Sequence, residues 1–308
     1  MAEDKSKSIV RGKGVKTVHQ GGTLADYSRF ISVQKHNNSN FKTSSTGLSR
    51  VVEFDSGIKY RFFGNGSKSK NIIKGAYFVK MLRDSVDKYV DKYGIVDSPE
   101  KPTAQTFNPD AIKKVIGQPI TCLDLNLCYW RTAYLLGYIN DSLYEKGIES
   151  GHKGGMLISI GALNSLPLIE HYEDGKIVSK SYDNVRHSKY SPFYWSIIAK
   201  VNDLMMEIYK VIGDDMYMWL TDCAFIKTSR QNEVIAIFEK FGFPFKTYTS
   251  DFLYCDNVQV EWFDCKENKK KFSHLGGRLI KPLYNRWKYQ HKFYEKNTIL
   301  QPKKEDND

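Results

Sequence analysis

Two aspartates stand where apolar segments of the chain end. Asp124 lies in Cys122-Leu123-Asp124-Leu125-Asn126-Leu127-Cys128-Tyr129-Trp130, and Asp222 lies in Trp219-Leu220-Thr221-Asp222-Cys223-Ala224-Phe225-Ile226. Carboxylates on neighbouring strand tips make a site for hard divalent cations, Mg²⁺ or Mn²⁺, which take oxygen ligands and complete their shells with water and substrate phosphates. Two such ions about 3.5–4 Å apart activate a 3′-hydroxyl and stabilise a leaving pyrophosphate. An unpaired charge among apolar residues is costly, which favours a bound cation at each aspartate. The competing use of an aspartate at a strand end is as a turn or cap residue.

A second chemistry is carried by charge. The 308 residues hold 46 Lys+Arg against 35 Asp+Glu, a formal charge of +11, and between Lys266 and Lys304 twelve basic residues face two acids. Nearly the whole excess therefore sits in one C-terminal segment. Trp287, Tyr289, Phe293 and Tyr294 are interleaved with it, the mixture of cations and stacking rings that a nucleic-acid groove uses. A solvated basic helix with no particular partner is the plainer reading of the same composition.

The elements that must position these residues follow from periodicity and punctuation. Residues 1–50 are rich in Lys, Ser, Gly and Asn and read as a mobile basic arm. Residues 51–118 hold a hairpin folded at Asp55-Ser56-Gly57, closed by Gly64-Asn65-Gly66, then a helix from Ile72 to Tyr93 stopped by Gly94. Residues 119–265 form the core. Pro119 to Asp124 reads as a strand, Tyr129 to Tyr138 as a helix, and Phe193 to Ile212 as a long helix ending at Gly213. MYMWLTDCAFIK reads as a strand or a hairpin around Thr221-Asp222-Cys223. Thr228-x-x-Gln231 predicts a capping box for a helix over Asn232 to Phe241, and Val258 to Ser273 a hairpin turning through Cys265-Lys266-Glu267-Asn268. Helices alternating with short, partly hairpin-paired strands predict an α+β chain with a mostly antiparallel sheet.

Other chemistries are set aside. Five cysteines without a CxxC pair, and histidines without ligand spacing, argue against a disulfide framework and a structural zinc. Neither the cysteines nor the serines show a partner that would make them nucleophiles. A mean hydropathy of −0.49 and no apolar run near eighteen residues predict no membrane partner. The Lys/Ser-rich start lacks a signal-peptide stretch, so the expectation is a cytoplasmic protein of a cell or of an infected host cell. Gly213-Asp214-Asp215 spells the GDD of RNA-dependent RNA polymerases, yet it follows a helix and reads as a stop with solvated carboxylates. Gly64 to Lys70 lacks P-loop spacing.

Taken in order, the motifs resemble the palm of family B DNA polymerases, over about Ile120 to Phe272. The family's first palm motif, DxxSLYP, is similar to Asp124-Leu125-Asn126-Leu127-Cys128-Tyr129-Trp130, with aspartate and tyrosine at the same spacing and without the Ser-Leu and the proline. The resemblance implies that Asp124 binds both metals and that Tyr129 lies under the nucleotide sugar. The third motif, YxDTDS, matches Trp219-x-Thr221-Asp222-Cys223, which puts Asp222 at the second aspartate and Leu220 at the first. The KxY motif that holds the primer terminus is similar to Lys270-Lys271-Phe272, preceded by Lys269. In the fingers motif Asn164-Ser165 is kept, while Ile160 stands at the lysine position and Pro167 at the tyrosine. Lys153, in His152-Lys153-Gly154-Gly155, would reach a triphosphate from a loop or serve as an ordinary surface lysine.

The resemblance implies a polymerase-palm-like antiparallel sheet packed by helices. Residues 140–192 would be a reduced fingers insertion, and residues 266–308 a short basic thumb-like tail whose Lys281, Arg286 and Lys288 follow a duplex backbone. The implied activity is DNA polymerase-like nucleotidyl transfer in DNA replication. It needs a primer-template or single strand of DNA, dNTPs, Mg²⁺ or Mn²⁺, and replication proteins as further partners. The missing exonuclease domain points to a viral or mobile-element version. Leu220 and Ile160 favour an alternative, a catalytically inactive palm-derived nucleic-acid-binding protein of a replication or packaging complex, and a structural virion or scaffold protein is a third reading.

Overall fold

The computed structural model describes residues 18–45, 49–63, 67–100, 105–276 and 278–294. The chain divides into two compact units, one of residues 1–97 and 139–194, the other of residues 98–138 and 195–308. Among the described residues no helix is long and apolar enough to cross a membrane.

The first unit opens with β1 (Val18–Thr23), α1 (Leu24–His36), β2 (Phe41–Ser45), β3 (Ser49–Phe54), β4 (Lys59–Phe63) and α2 (Ser67–Tyr93). The mobile-arm reading is therefore corrected over residues 18–45; residues 1–17 lie outside the described ones. The physical reason is an amphipathic pattern hidden in polar composition. Thr23 and Asp26 close a capping box on α1, with the Asp26 carboxylate accepting from the Thr23 amide at 2.8 Å. Tyr27, Phe30 and Ile31 of α1 then pack on Phe41, Val52, Phe54, Tyr60 and Phe62 of the strands. The hairpin at Asp55-Ser56-Gly57 forms, with Gly57 at φ +80°, and α2 stops at Gly94. Gly64 to Gly66, expected to close the second strand, lie outside the described residues.

The second unit begins with β5 (Gln105–Phe107), α3 (Pro109–Lys113), β6 (Pro119–Leu125) and α4 (Cys128–Leu135). The chain returns to the first unit for α5 (Asp141–Glu149), α6 (Lys153–Leu163), β7 (Leu168–Glu173) and β8 (Lys176–Tyr182). There β7 pairs with β2, and the six-stranded sheet has the order β1-β4-β3-β2-β7-β8, antiparallel except for β1 with β4.

Helix α7 (Asn184–Ile212) contributes residues to both units. After it the second unit continues with β9 (Met216–Leu220), β10 (Cys223–Ile226), α8 (Gln231–Lys240), β11 (Phe245–Cys255), β12 (Gln259–Asp264), β13 (Lys269–His274) and α9 (Ile280–Tyr294). Its seven strands run β13-β12-β11-β6-β10-β9-β5, every neighbour antiparallel.

The mixed helix and antiparallel-sheet architecture agrees with the α+β expectation. Strand β6 is central, with β10 on one side and β11 on the other, and Ile120 to Leu123 and Leu125 are all buried. Period-two alternation sends Leu123, Leu125, Ala224 and Ile226 into a core with Val201 and Met205 of α7, Phe238 of α8 and Trp287 of α9. Ile120, Cys122, Cys223 and Phe225 face the other way, with Phe252, Trp262 and Ile112 of α3. The capping box at Thr228 does not form. Thr228 to Arg230 is a 3₁₀ turn, Arg230 caps α8 without a side-chain bond, and the Thr228 hydroxyl is 3.1 Å from that of Thr121.

Candidate functional site

Strand β9 is buried from Met216 to Trp219 and β10 throughout, so Thr221 and Asp222 are the polar residues at which the hairpin leaves the core. Thr221 takes φ +54°, and its hydroxyl donates to Asp222 Oδ1 at 2.8 Å. The Leu125 amide donates to the Asp222 carbonyl at 3.0 Å, pinning this turn to the end of β6. Asp124 is the penultimate residue of β6, opposite Cys223 on β10 and Lys246 on β11. The two aspartates, 98 residues apart in the chain by their numbers, thus share one end of adjacent strands.

Asp124 already has a cationic partner. Lys266, in the turn between β12 and β13, places Nζ 3.0 Å from Asp124 Oδ2. Its Nζ lies 5.0 Å from the centre of the Tyr248 ring, and the Tyr248 hydroxyl is 3.4 Å from Cys223 Sγ. The hydrogen bond to Asp124 holds the Lys266 ammonium above its ordinary pKa. Burial pushes the Tyr248 hydroxyl up, and Cys223 is raised by its bond with Cys122 and by burial, so both groups stay protonated and neither serves as a nucleophile at neutral pH. Lys266, Lys246 and Tyr248 were missed as site residues from sequence. The signal for Lys246 was its place in a strand that no strong alternation announces; Lys266 carried none beyond its turn.

Among the described residues no group of three or more His, Cys, Asp and Glu side chains gathers as a metal site. Asp124 and Asp222 are the sequence-predicted carboxylates at this end of the two strands, and a hard ion held by either would fill its shell mainly from water and phosphate rather than from a protein cage.

The remaining sequence-predicted residues are dispersed. Tyr129, the second residue of α4, is half-buried and packs against the helix-side core. Lys153 is the first residue of α6, in the first unit, behind a His152 cap that accepts from the Gly155 amide at 2.7 Å. Lys269, Lys270, Lys271 and Phe272 lie on the edge strand β13, where alternation puts Lys269 and Lys271 on one face and Lys270 and Phe272 on the other. Lys271 is engaged by buried Asp264 at 2.5 Å and by Glu267 at 2.7 Å, and Phe272 is 65% exposed.

On α9, Lys281, Arg286 and Lys288 are exposed, and Arg286 pairs with Glu100 at 2.5 Å. Trp287 is corrected as a stacking ring: it is buried with Ile280 in the core, and its indole N–H donates to Asp203 at 3.0 Å. Helical spacing turns Ile280, Leu283, Tyr284 and Trp287 inward together. The side chains of Tyr289, Phe293 and Tyr294 lie outside the described residues. Asp214 accepts from the Tyr209 hydroxyl at 2.8 Å, and Asp215 is within 3.5 Å of Lys227, so the GDD carboxylates serve as structural partners.

No protein-family model, no curated protein and no solved structure matches this chain.

Proposed function

We propose that the chain is a DNA polymerase-like nucleotidyl transferase with a family B-type palm, acting on a primer-template. The observation that carries the reading is the pairing of β6 with β10, which sets Asp124 and Asp222 at one end of adjacent strands. Asp124 and Asp222 would hold Mg²⁺ or Mn²⁺, which supplies activation of the primer hydroxyl and neutralises charge on the leaving pyrophosphate. The chain's own side chains do the rest. Tyr129 would sense the sugar, and Lys269, Lys270, Lys271 and Phe272 would grip the primer strand. Lys281, Arg286 and Lys288, on the outer side of a thumb-like α9, would neutralise backbone phosphates. DNA, dNTPs and replication proteins are the partners of this reading, in the cytoplasm of a cell or of a host infected by a virus.

The Lys266–Asp124 ion pair favours a second reading, a palm-derived nucleic-acid-binding protein without catalysis, because an aspartate neutralised by lysine needs no metal. Primer extension with all four dNTPs, in Mg²⁺ and separately in Mn²⁺, decides between them. Extension by the wild type that disappears in Asp124→Asn and in Asp222→Asn supports the enzyme. Salt-sensitive DNA binding by all three without extension overturns it and leaves the binding protein.

A further inference from the structure

The contact between Lys266 and Asp124 is held from both ends. Asp264, 2% exposed, fixes the turn that carries Lys266: its Oδ1 accepts from the Lys266 and Glu267 amides at 3.0 and 3.1 Å, and its Oδ2 from Lys271 at 2.5 Å. A buried carboxylate whose oxygens are satisfied in this way makes a rigid anchor. From that anchor the Lys266 side chain crosses β11 over the Tyr248 ring, and Tyr248 is itself held by Cys223. The path ends 3.0 Å from Asp124, with the lysine side chain still 42% exposed. An ion pair that open to water is weak and reversible. The lysine is therefore aimed at the carboxylate by a firm base but held there only by a weak ion pair.

We propose that Lys266 and a divalent cation compete for Asp124, the lysine neutralising the carboxylate until an ion arrives and then turning to the phosphate oxygens that accompany the ion. The inference rests on the reading of Asp124 as a metal ligand. It gives Lys266 two opposite effects, hindering the metal and helping the anion. A merely structural lysine would not produce that pair of signs. Lys246, opposite Asp124 on β11 and exposed, leaves the surroundings cationic after Lys266 is released, so the anion meets positive charge on that side of the carboxylate.

The test uses the full chain and two binding measurements: Mn²⁺ affinity from the free-ion spin-resonance signal, and pyrophosphate affinity by calorimetry at saturating Mg²⁺. The variants are Lys266→Met, Lys266→Arg and Asp124→Asn, each checked for folding by thermal melting. Lys266→Met is expected to bind Mn²⁺ about fivefold more tightly than wild type and pyrophosphate several-fold more weakly, with Lys266→Arg close to wild type in both. Unchanged or weaker Mn²⁺ binding in folded Lys266→Met, with binding lost in Asp124→Asn, overturns the competition while the metal reading stands. Mn²⁺ binding that survives Asp124→Asn, or that is absent from wild type and Lys266→Met alike, overturns the metal reading and the competition with it.

Discussion

Asp124 on β6 stands opposite Cys223 on β10, so Asp222, one residue earlier, reaches the same end of the sheet through a two-residue turn. The backbone bond from the Leu125 amide to the Asp222 carbonyl, 3.0 Å, locks that relation. The backbone positions of the two residues are thus set by sheet register, and that of Asp222 depends on the turn.

The turn is strained at Thr221, a β-branched residue at φ +54°. A residue with a Cβ loses energy in this left-handed region and glycine does not. Thr221→Gly is expected to stabilise the chain by about 0.5–1 kcal/mol, seen as a higher urea midpoint at unchanged slope. A lower midpoint would mean that the Thr221–Asp222 hydrogen bond outweighs the strain.

Gly175 occupies the opposite situation. With Asp174 at φ +45° and Gly175 at φ +71°, the β7–β8 hairpin turns tightly, and a Cβ on Gly175 would come 2.3 Å from the Lys35 carbonyl oxygen. Backbone cannot yield as a flexible side chain does, so Gly175→Ala is expected to cost about 2–4 kcal/mol. Denaturant unfolding measures it, and a loss under about 1 kcal/mol would refute the close approach.

Burial and charge on α9 separate into different readouts. Trp287→Ala removes a buried indole and its hydrogen bond to Asp203, at an expected cost of about 3–5 kcal/mol. Lys281→Ala and Lys288→Ala leave stability within about 0.5 kcal/mol. If α9 follows DNA, removing each lysine that neutralises a phosphate reduces the slope of log affinity against log salt by about 0.9. Titration of binding between low and moderate salt checks this, and an unchanged slope in the double variant removes α9 from the interface.

The β12–β13 turn carries a pH signature. Hydrogen bonds from Lys269 and then Lys271 lower the Glu267 carboxyl from its ordinary 4.5 to about 2. A depressed acid contributes stability above its unfolded pKa and loses it as pH falls through the folded value, so the contribution disappears between about pH 4.5 and 2. Carbon-detected NMR titration of Glu267 should give a midpoint well below its ordinary value. Glu267→Gln should flatten the acid limb of the stability curve in the same window, and an ordinary midpoint would show that the two lysines do not hold the carboxylate.

Much of the local structure is legible in the residues themselves. The strand that carries Asp124 near its end, the hairpin around Thr221-Asp222, the turn at Cys265 to Asn268 and the helix stops at Gly94, Gly213 and Gly242 follow from apolar alternation and from glycine's access to positive φ. Asp174-Gly175 carries an equally plain hairpin signal, masked by the resemblance that makes its segment a fingers insertion.

Partner choice was decided only by the tertiary structure. Strand β11 inserts between β6 and β12, β7 pairs with β2, and Lys266 reaches an aspartate 142 residues earlier in the chain. Propensity and capping act over a few residues, whereas these pairings are selected by which apolar faces bury together and which charges end up side by side. Polar-looking residues 18–45 become ordered because α1 offers aromatic rings to a sheet completed by strands more than a hundred residues away. Where the chain turns follows from local residue types, whereas long-range packing makes Trp287 core and brings Lys266, not an exposed lysine of β13, to Asp124.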